Sequence, residues 1–279
     1  MDGQGSQQKL SRRGDHAGML RPSMRWLTVM CSKVSDFRVR TGFGPAGRIA
    51  ALAACVLLPR PCPAGETQYE LWPEANAYFK LSSQLRLYLL LAPVYSPQSW
   101  TGDQAASFGE LEVGSHLDIS LKPFLRTVLR KSDWERERYF WARIGYTHLS
   151  NFAGAPESHE NRVLLELTAR FALPGDIWAV NRGRVDLRDK DGTFSTRYRY
   201  RLQLERETPM FGAVTVPYVN VEPFYDSRYD AVVRWRYEAG IEIVMDEHWR
   251  VEPHYLRQED SRSEPAHTNA FGLILKYYR

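Results

Sequence analysis

The chain has 279 residues, 43% hydrophobic and 25% charged, with a formal net charge of +4. A mean hydropathy of −0.45, with no run of about 18 apolar residues, excludes a bundle of membrane-spanning helices. The charge is uneven, with 10 Lys and Arg against 3 acids in residues 1–64 and 27 against 30 in the remainder, so the basic balance gives no reason to expect a nucleic-acid partner.

In the leader, Arg48 precedes an apolar run over residues 49–58, then Pro59 and Pro61, then Cys62-Pro63-Ala64. This is the pattern of a secretory signal with a small-x-small cleavage site. Cleavage is expected near Ala64, which makes residues 1–64 an extension plus signal peptide and 65–279 the exported body. The stretch before the apolar run is long for a signal, so Met24 and Met30 are alternative starts. Leu52-Ala53-Ala54-Cys55 fits a lipoprotein box, but the apolar run continues past Cys55. All three cysteines lie in the leader. The body can therefore hold neither a thiol nucleophile nor a disulfide framework.

Ten segments of the body alternate with period two, which is the signature of strands with unlike faces. Segment 79–91 sets Leu85, Leu87, Leu89 and Leu91 against Arg86 and Tyr88. Segment 112–122 sets Val113, Leu117 and Ile119 against His116, Asp118 and Ser120. Segment 139–147 is mixed, with Ile144 opposite Arg143. Segment 162–171 sets Val163, Leu165, Leu167 and Phe171 against Arg162, Glu166, Thr168 and Arg170. Segment 176–188 sets Val185 and Leu187 against Arg184 and Asp186. Segment 195–207 sets Tyr198, Tyr200, Leu202 and Leu204 against Arg197, Arg199, Arg201, Glu205 and Glu207. Segment 214–225 is weakened by Pro217 and Pro223. Segment 230–245 sets Val233, Trp235, Tyr237 and Ile241 against Arg234, Arg236, Glu238 and Glu242. Segments 249–257 and 269–278 close the series.

These segments exceed the usual five or six residues of a soluble strand and match the roughly nine to eleven of a tilted membrane-spanning one. The expected fold is all-β, a closed antiparallel up-and-down transmembrane barrel of about ten strands, with twelve possible, and a charged lumen. Ten strands would bring both barrel ends to the periplasm. Links 92–109, 148–160, 189–195, 226–229 and 258–267 would lie outside, and links 124–136, 173–175, 208–212 and 246–247 inside. Trp178, Trp249 and Tyr277 near one rim, with Tyr146, Tyr225 and Tyr229 near the other, suit interfacial aromatic girdles.

Several motifs together resemble the bacterial family named domain of unknown function 2490. They are Leu71-Trp72-Pro73-Glu74, Asn161-Arg162, Phe194-Ser195-Thr196-Arg197-Tyr198-Arg199-Tyr200-Arg201, Glu222-Pro223-Phe224-Tyr225, Arg236-Tyr237 with Gly240, and Asn269-Ala270-Phe271-Gly272-Leu273. The resemblance spans about residues 69–279. It implies an outer-membrane barrel in a Gram-negative cell and brings no activity or catalytic residues. The C-terminus also resembles the signal read by barrel-assembly machinery, through Gly272, Leu275 and Tyr277. That machinery and outer-membrane lipids are the expected partners.

The candidate site is the lumen charge ladder: Arg86, Arg162, Glu166, Arg170, Arg184, Asp186, Arg197, Arg199, Arg201, Glu205, Glu207, Arg234, Arg236, Glu238 and Glu242. Opposite charges across neighbouring strands stabilise a sheet, so salt-bridge ladders are expected and an anion path is the alternative. His116 with Asp118, and Glu252 with His254, share faces two residues apart and suit lumenal hydrogen bonds better than general-base work. His148 and His159 could meet a metal but are better read as solvated. Asp189-Lys190-Asp191-Gly192 lacks the rest of a calcium loop and reads as a hairpin turn. No cofactor is expected. The functional expectation is a structural or narrow-channel barrel, with an outer-membrane hydrolase or a periplasmic sandwich or lipocalin-like binder as alternatives.

Overall fold

The computed structural model describes residues 67–96, 107–121, 140–152, 157–210, 212–262 and 266–279. The signal core, cleavage site and alternative starts lie outside the described residues. The strands are β1 (Thr67–Lys80), β2 (Leu85–Ser96), β3 (Ser107–Ser120), β4 (Phe140–Asn151), β5 (Ser158–Leu173), β6 (Ile177–Lys190), β7 (Thr193–Arg206), β8 (Thr208–Met210), β9 (Ala213–Asp226), β10 (Ala231–Val244), β11 (Trp249–Asp260) and β12 (His267–Tyr278). Eleven long strands close into a barrel, and the three-residue β8 continues past β7 along β9. Nine of the ten segments read from periodicity each fall on one barrel strand.

The eleventh is β1, and it changes the topology. Segment 79–91 is the end of β1, a turn, and β2. The turn keeps Phe79, Leu81 and Leu85 in phase, so the reversal leaves no mark on the period. Pro73 also argues against a strand. Pro93 lies opposite it, where the β1–β2 register passes from Leu71↔Tyr95 to Ala75↔Leu91. An odd count forces one parallel seam, and β1 runs parallel to β12 from Thr67↔His267 to Tyr78↔Tyr278. The barrel's first and last strands therefore begin at the same rim. Thr67 and Arg279 lie at opposite rims, which corrects the expectation that both ends share one side. At the C-terminal rim, Lys80 N–H donates to Arg279 O at 2.7 Å and Arg279 N–H to Tyr78 O at 2.8 Å.

Burial is inverted relative to a soluble barrel. On the outward parity Leu165, Leu167 and Leu273 are 51%, 52% and 51% exposed, whereas inward Asp118 and Glu222 are 0% exposed. At about 3.3 Å per residue a 14-residue strand tilted about 45° rises about 33 Å, enough for an apolar band about 25 Å tall. A bulge between Val232 and Arg234 shifts the register of β10. It buries Val233, which strict alternation would leave facing outward. Between β6 and β7, Asp191 and Gly192 have φ of 48° and 80° in the two-residue turn joining Lys190↔Thr193. Positive φ at both positions is the type I′ hairpin geometry that Asp-Gly favours.

Candidate functional site

The period of two turns Arg197, Arg199 and Arg201 of β7 into the lumen, beside Glu222, Phe224 and Asp226 of β9. Glu222 is the hub. Its Oε1 accepts from Arg182 Nη2 at 2.8 Å and Arg199 Nε at 3.0 Å. Its Oε2 accepts from Arg199 Nη2 at 3.1 Å and from Arg201 Nε and Nη2 at 3.3 and 2.9 Å. Five donors meet a carboxylate with about four lone-pair sites, so Glu222 is saturated. Asp226 is filled in the same way, by Arg188 Nη1 at 2.9 Å and by Arg228 through its backbone N, Nε and Nη2 at 3.0, 3.2 and 2.9 Å.

Two arginines of the ladder are left over. Arg197 comes no nearer to Asp226 than 3.7 Å, beyond hydrogen-bond reach. Arg236 donates to Gln258 Oε1 at 2.9 Å and has no ion pair among the described residues. Arg234, between them along the wall, is held by Asp260 at 2.6 Å.

The remaining ladder residues are placed as follows. Arg184 donates to Asp186 at 2.5 Å, and Arg199 lies 3.9 Å from the same carboxylate. Glu166 sits 3.7 Å from Arg182 and 3.9 Å from Arg143. Arg162 bonds Glu160 and reaches Glu112 at 3.1 Å, and Arg170 bonds Glu205. Glu238 accepts from Tyr218 Oη at 2.7 Å and lies 3.9 Å from Arg201. Glu242 pairs with Arg250 at 2.9 Å and Lys276 at 2.6 Å. Glu207 is exposed just past β7. Parity reasoning places Glu222 inward but passes over it as a partner, because the prolines make β9 a weak strand. Its position on the charged parity was the available signal.

A second arrangement occupies β12, β1, β2 and β3. The rings of Tyr278, Tyr78, Tyr88 and His116 stack in series at centroid separations of 4.7 Å. Arg86, Arg143 and Arg250 lie over Tyr78, Tyr88 and Tyr278 at 4.3, 4.4 and 4.6 Å. Asp118 accepts from Arg86 Nη2 at 2.7 Å and Arg143 Nε at 2.6 Å. The carboxylate of the His116/Asp118 pair is thus engaged by arginines while the imidazole stacks. A Cβ at Gly145 would lie 2.0 Å from His116 Cδ2, so the stack requires glycine there. In the other pair Glu252 accepts from Lys276 and lies 2.5 Å from Tyr218 Oη, whose one proton it shares with Glu238, while His254 fills the space that a side chain at Gly272 would take. His148 and His159 both touch Ser150, at 3.1 and 3.3 Å. Among the described residues no group of three His, Cys, Asp or Glu is placed to hold a metal.

Of the expected girdle residues, Trp249 is exposed and packs on Tyr277 at 4.8 Å. Trp178 instead faces the lumen under Arg170, 5.0 Å away, because it shares the parity of Val180 and Arg182. Two cavities of about 800 and 500 Å³ occupy the lumen. Arg143, Arg182, Arg201, Glu238 and Glu252 line both and form a charged belt between them.

Comparison with solved structures finds the beta domain of the Bordetella autotransporter BrkA, at 16% identity over 71% of this chain and 82% of that one, with a TM-score of 0.38. It also finds the translocator domain of the autotransporter NalP from Neisseria meningitidis, at 12% identity over 86% and 93%, with a TM-score of 0.34. Both likenesses are distant. No curated protein matches. Residues 131–269 match the family described as protein of unknown function, DUF2490. The match covers β4 to β11 and the start of β12, and leaves β1 to β3 with Leu71-Trp72-Pro73-Glu74 outside it. Across the arginine ladder, its Glu222 hub and the Phe224 ring, the chain resembles the DUF2490 family that its motifs point to.

Proposed function

We propose that the chain is an outer-membrane β-barrel, exported by the leader signal, whose role is structural and whose lumen is closed midway by a belt of its own ion pairs. The observation that carries this is the inversion of burial, with leucines exposed outward and carboxylates fully buried inward. An outward apolar band finds its solvent in lipid, and buried charges persist where they are paired. Outer-membrane lipids are then the partners of the exterior. The barrel-assembly machinery would engage β12 through Gly272, Leu275 and Tyr277. The hydrolase reading loses support because Asp118 and Glu252 are engaged by cations. The lipocalin-like reading loses it because the exterior is apolar. The two cavities favour one variant, a narrow channel constricted at the belt of Arg143, Arg182 and Arg201.

Gel mobility in detergent, compared before and after boiling, tests the barrel. A folded barrel migrates anomalously until heated. Mobility unchanged by boiling, or solubility without detergent, would remove the membrane reading.

A further inference from the structure

We propose that Arg197 and Arg236 form a binding site for a small oxyanion, such as phosphate, sulfate or an organic carboxylate, in the larger lumen cavity. This inference rests on the barrel reading. Both side chains line that cavity, and both approach one ring, with Cζ atoms 5.9 and 5.2 Å from the Phe224 centroid.

Their availability follows from the saturation of their neighbours. Glu222 and Asp226 already accept as many hydrogen bonds as a carboxylate can take. Arg197 and Arg236 face the lumen as charges with no carboxylate hydrogen-bonded to them among the described residues. A guanidinium cannot relieve this by losing a proton, and Asp226 at 3.7 Å from Arg197 and Glu222 opposite Arg236 offset the charges without filling their N–H groups, which is costly for buried donors. An anion with several acceptor oxygens supplies what both lack, in the charge-assisted geometry that arginine favours.

Arg236 is also held in place. Its Cζ lies 5.0 Å from the Trp72 ring and 5.2 Å from Phe224, and Nη2 is tied to Gln258. Held by two rings and Gln258, the guanidinium presents its remaining N–H groups at little entropic cost on binding. Glu70 and Glu74 on β1 and Glu110 on β3 also line this cavity. Glu70 accepts from the Trp72 ring that Arg236 packs against, so acids stand close to the arginines. An oxyanion must fit between them, which favours a compact one over a long polyanion.

Titration calorimetry with inorganic phosphate tests the site, on the detergent-folded chain at fixed ionic strength balanced with chloride. Saturable uptake of one phosphate per chain is expected. Arg197→Gln and Arg236→Gln should each weaken it about tenfold, while Arg257→Gln, on the outward parity, should leave it unchanged. If Arg236→Gln fails to fold, Arg236→Lys keeps the charge and loses the fork, and should still weaken binding. Absence of saturable uptake by a barrel that remains heat-modifiable would overturn the site and leave the barrel reading intact. Uptake indifferent to both arginines would overturn it equally. Loss of heat-modifiability in the wild-type chain would instead mark failure of the barrel reading.

Discussion

Around the stack of Tyr278, Tyr78, Tyr88 and His116 each arginine has a ring of its own, whereas around Glu222 and Asp226 the arginines converge on two carboxylates and four of them share the single ring of Phe224. Arg86, Arg143 and Arg250 each find a ring face within 4.6 Å, and two of them share Asp118 as well. A ring face adds about 0.5–2 kcal/mol without consuming lone pairs. A carboxylate binds each cation more strongly but has few acceptor sites. The aromatic wall therefore accommodates its arginines with capacity to spare. The carboxylate wall reaches capacity, and Arg197 and Arg236 are what remain.

The difference predicts unequal responses to losing one acid. Glu222→Gln leaves Arg182, Arg199 and Arg201 facing one another without their shared counter-charge. It should destabilise the barrel by about 3–5 kcal/mol, the usual cost of breaking a buried pair, read as a lowered midpoint in urea titration of the micelle-folded protein. Asp118→Asn removes an equally buried carboxylate, but Arg86 and Arg143 keep their rings. A smaller loss of about 2 kcal/mol is expected. Equal losses at the two sites would break the comparison.

Gly145→Ala probes the stack itself, since its Cβ would displace His116 from Tyr88. Overpacking of this kind costs about 1–3 kcal/mol, and adding His116→Ala should restore part of it. A double variant no more stable than Gly145→Ala alone would show that the clash lies elsewhere.

The smallest effect is expected outside both walls. In the turn after β10, Asp246 accepts the backbone N–H groups of His248 and Trp249 at 2.7 and 2.8 Å, and these bonds hold its carboxyl below the usual range. With the folded-state pKa depressed, its contribution is present above the unfolded value near 3.8 and fades as pH falls through the folded one. Asp246→Ala should abolish that small acid dependence and lower the urea midpoint at pH 7 only slightly.

The sheet was legible wherever apolar and charged residues alternate cleanly, as in β5 and β7, because lipid and lumen demand opposite side chains at every step. It was illegible in β1, where Pro73, Ala75 and Ala77 blunt the outward face, and at the turn over residues 81–84, which preserves the phase. The parallel seam could not be read at all, since it depends on the strand count. For the lumen, parity orients each arginine but does not say which carboxylate it meets. Register decides that, and it brings β9 against β7 so that Glu222 receives three arginines.

Single-channel recording in planar lipid bilayers, on protein first shown to be heat-modifiable, tests the occluded lumen most directly. The ion-paired belt and the Glu222 hub predict a silent bilayer, without stable conductance steps. Stable anion-selective steps from the wild-type chain would contradict it and establish the arginine wall as a path.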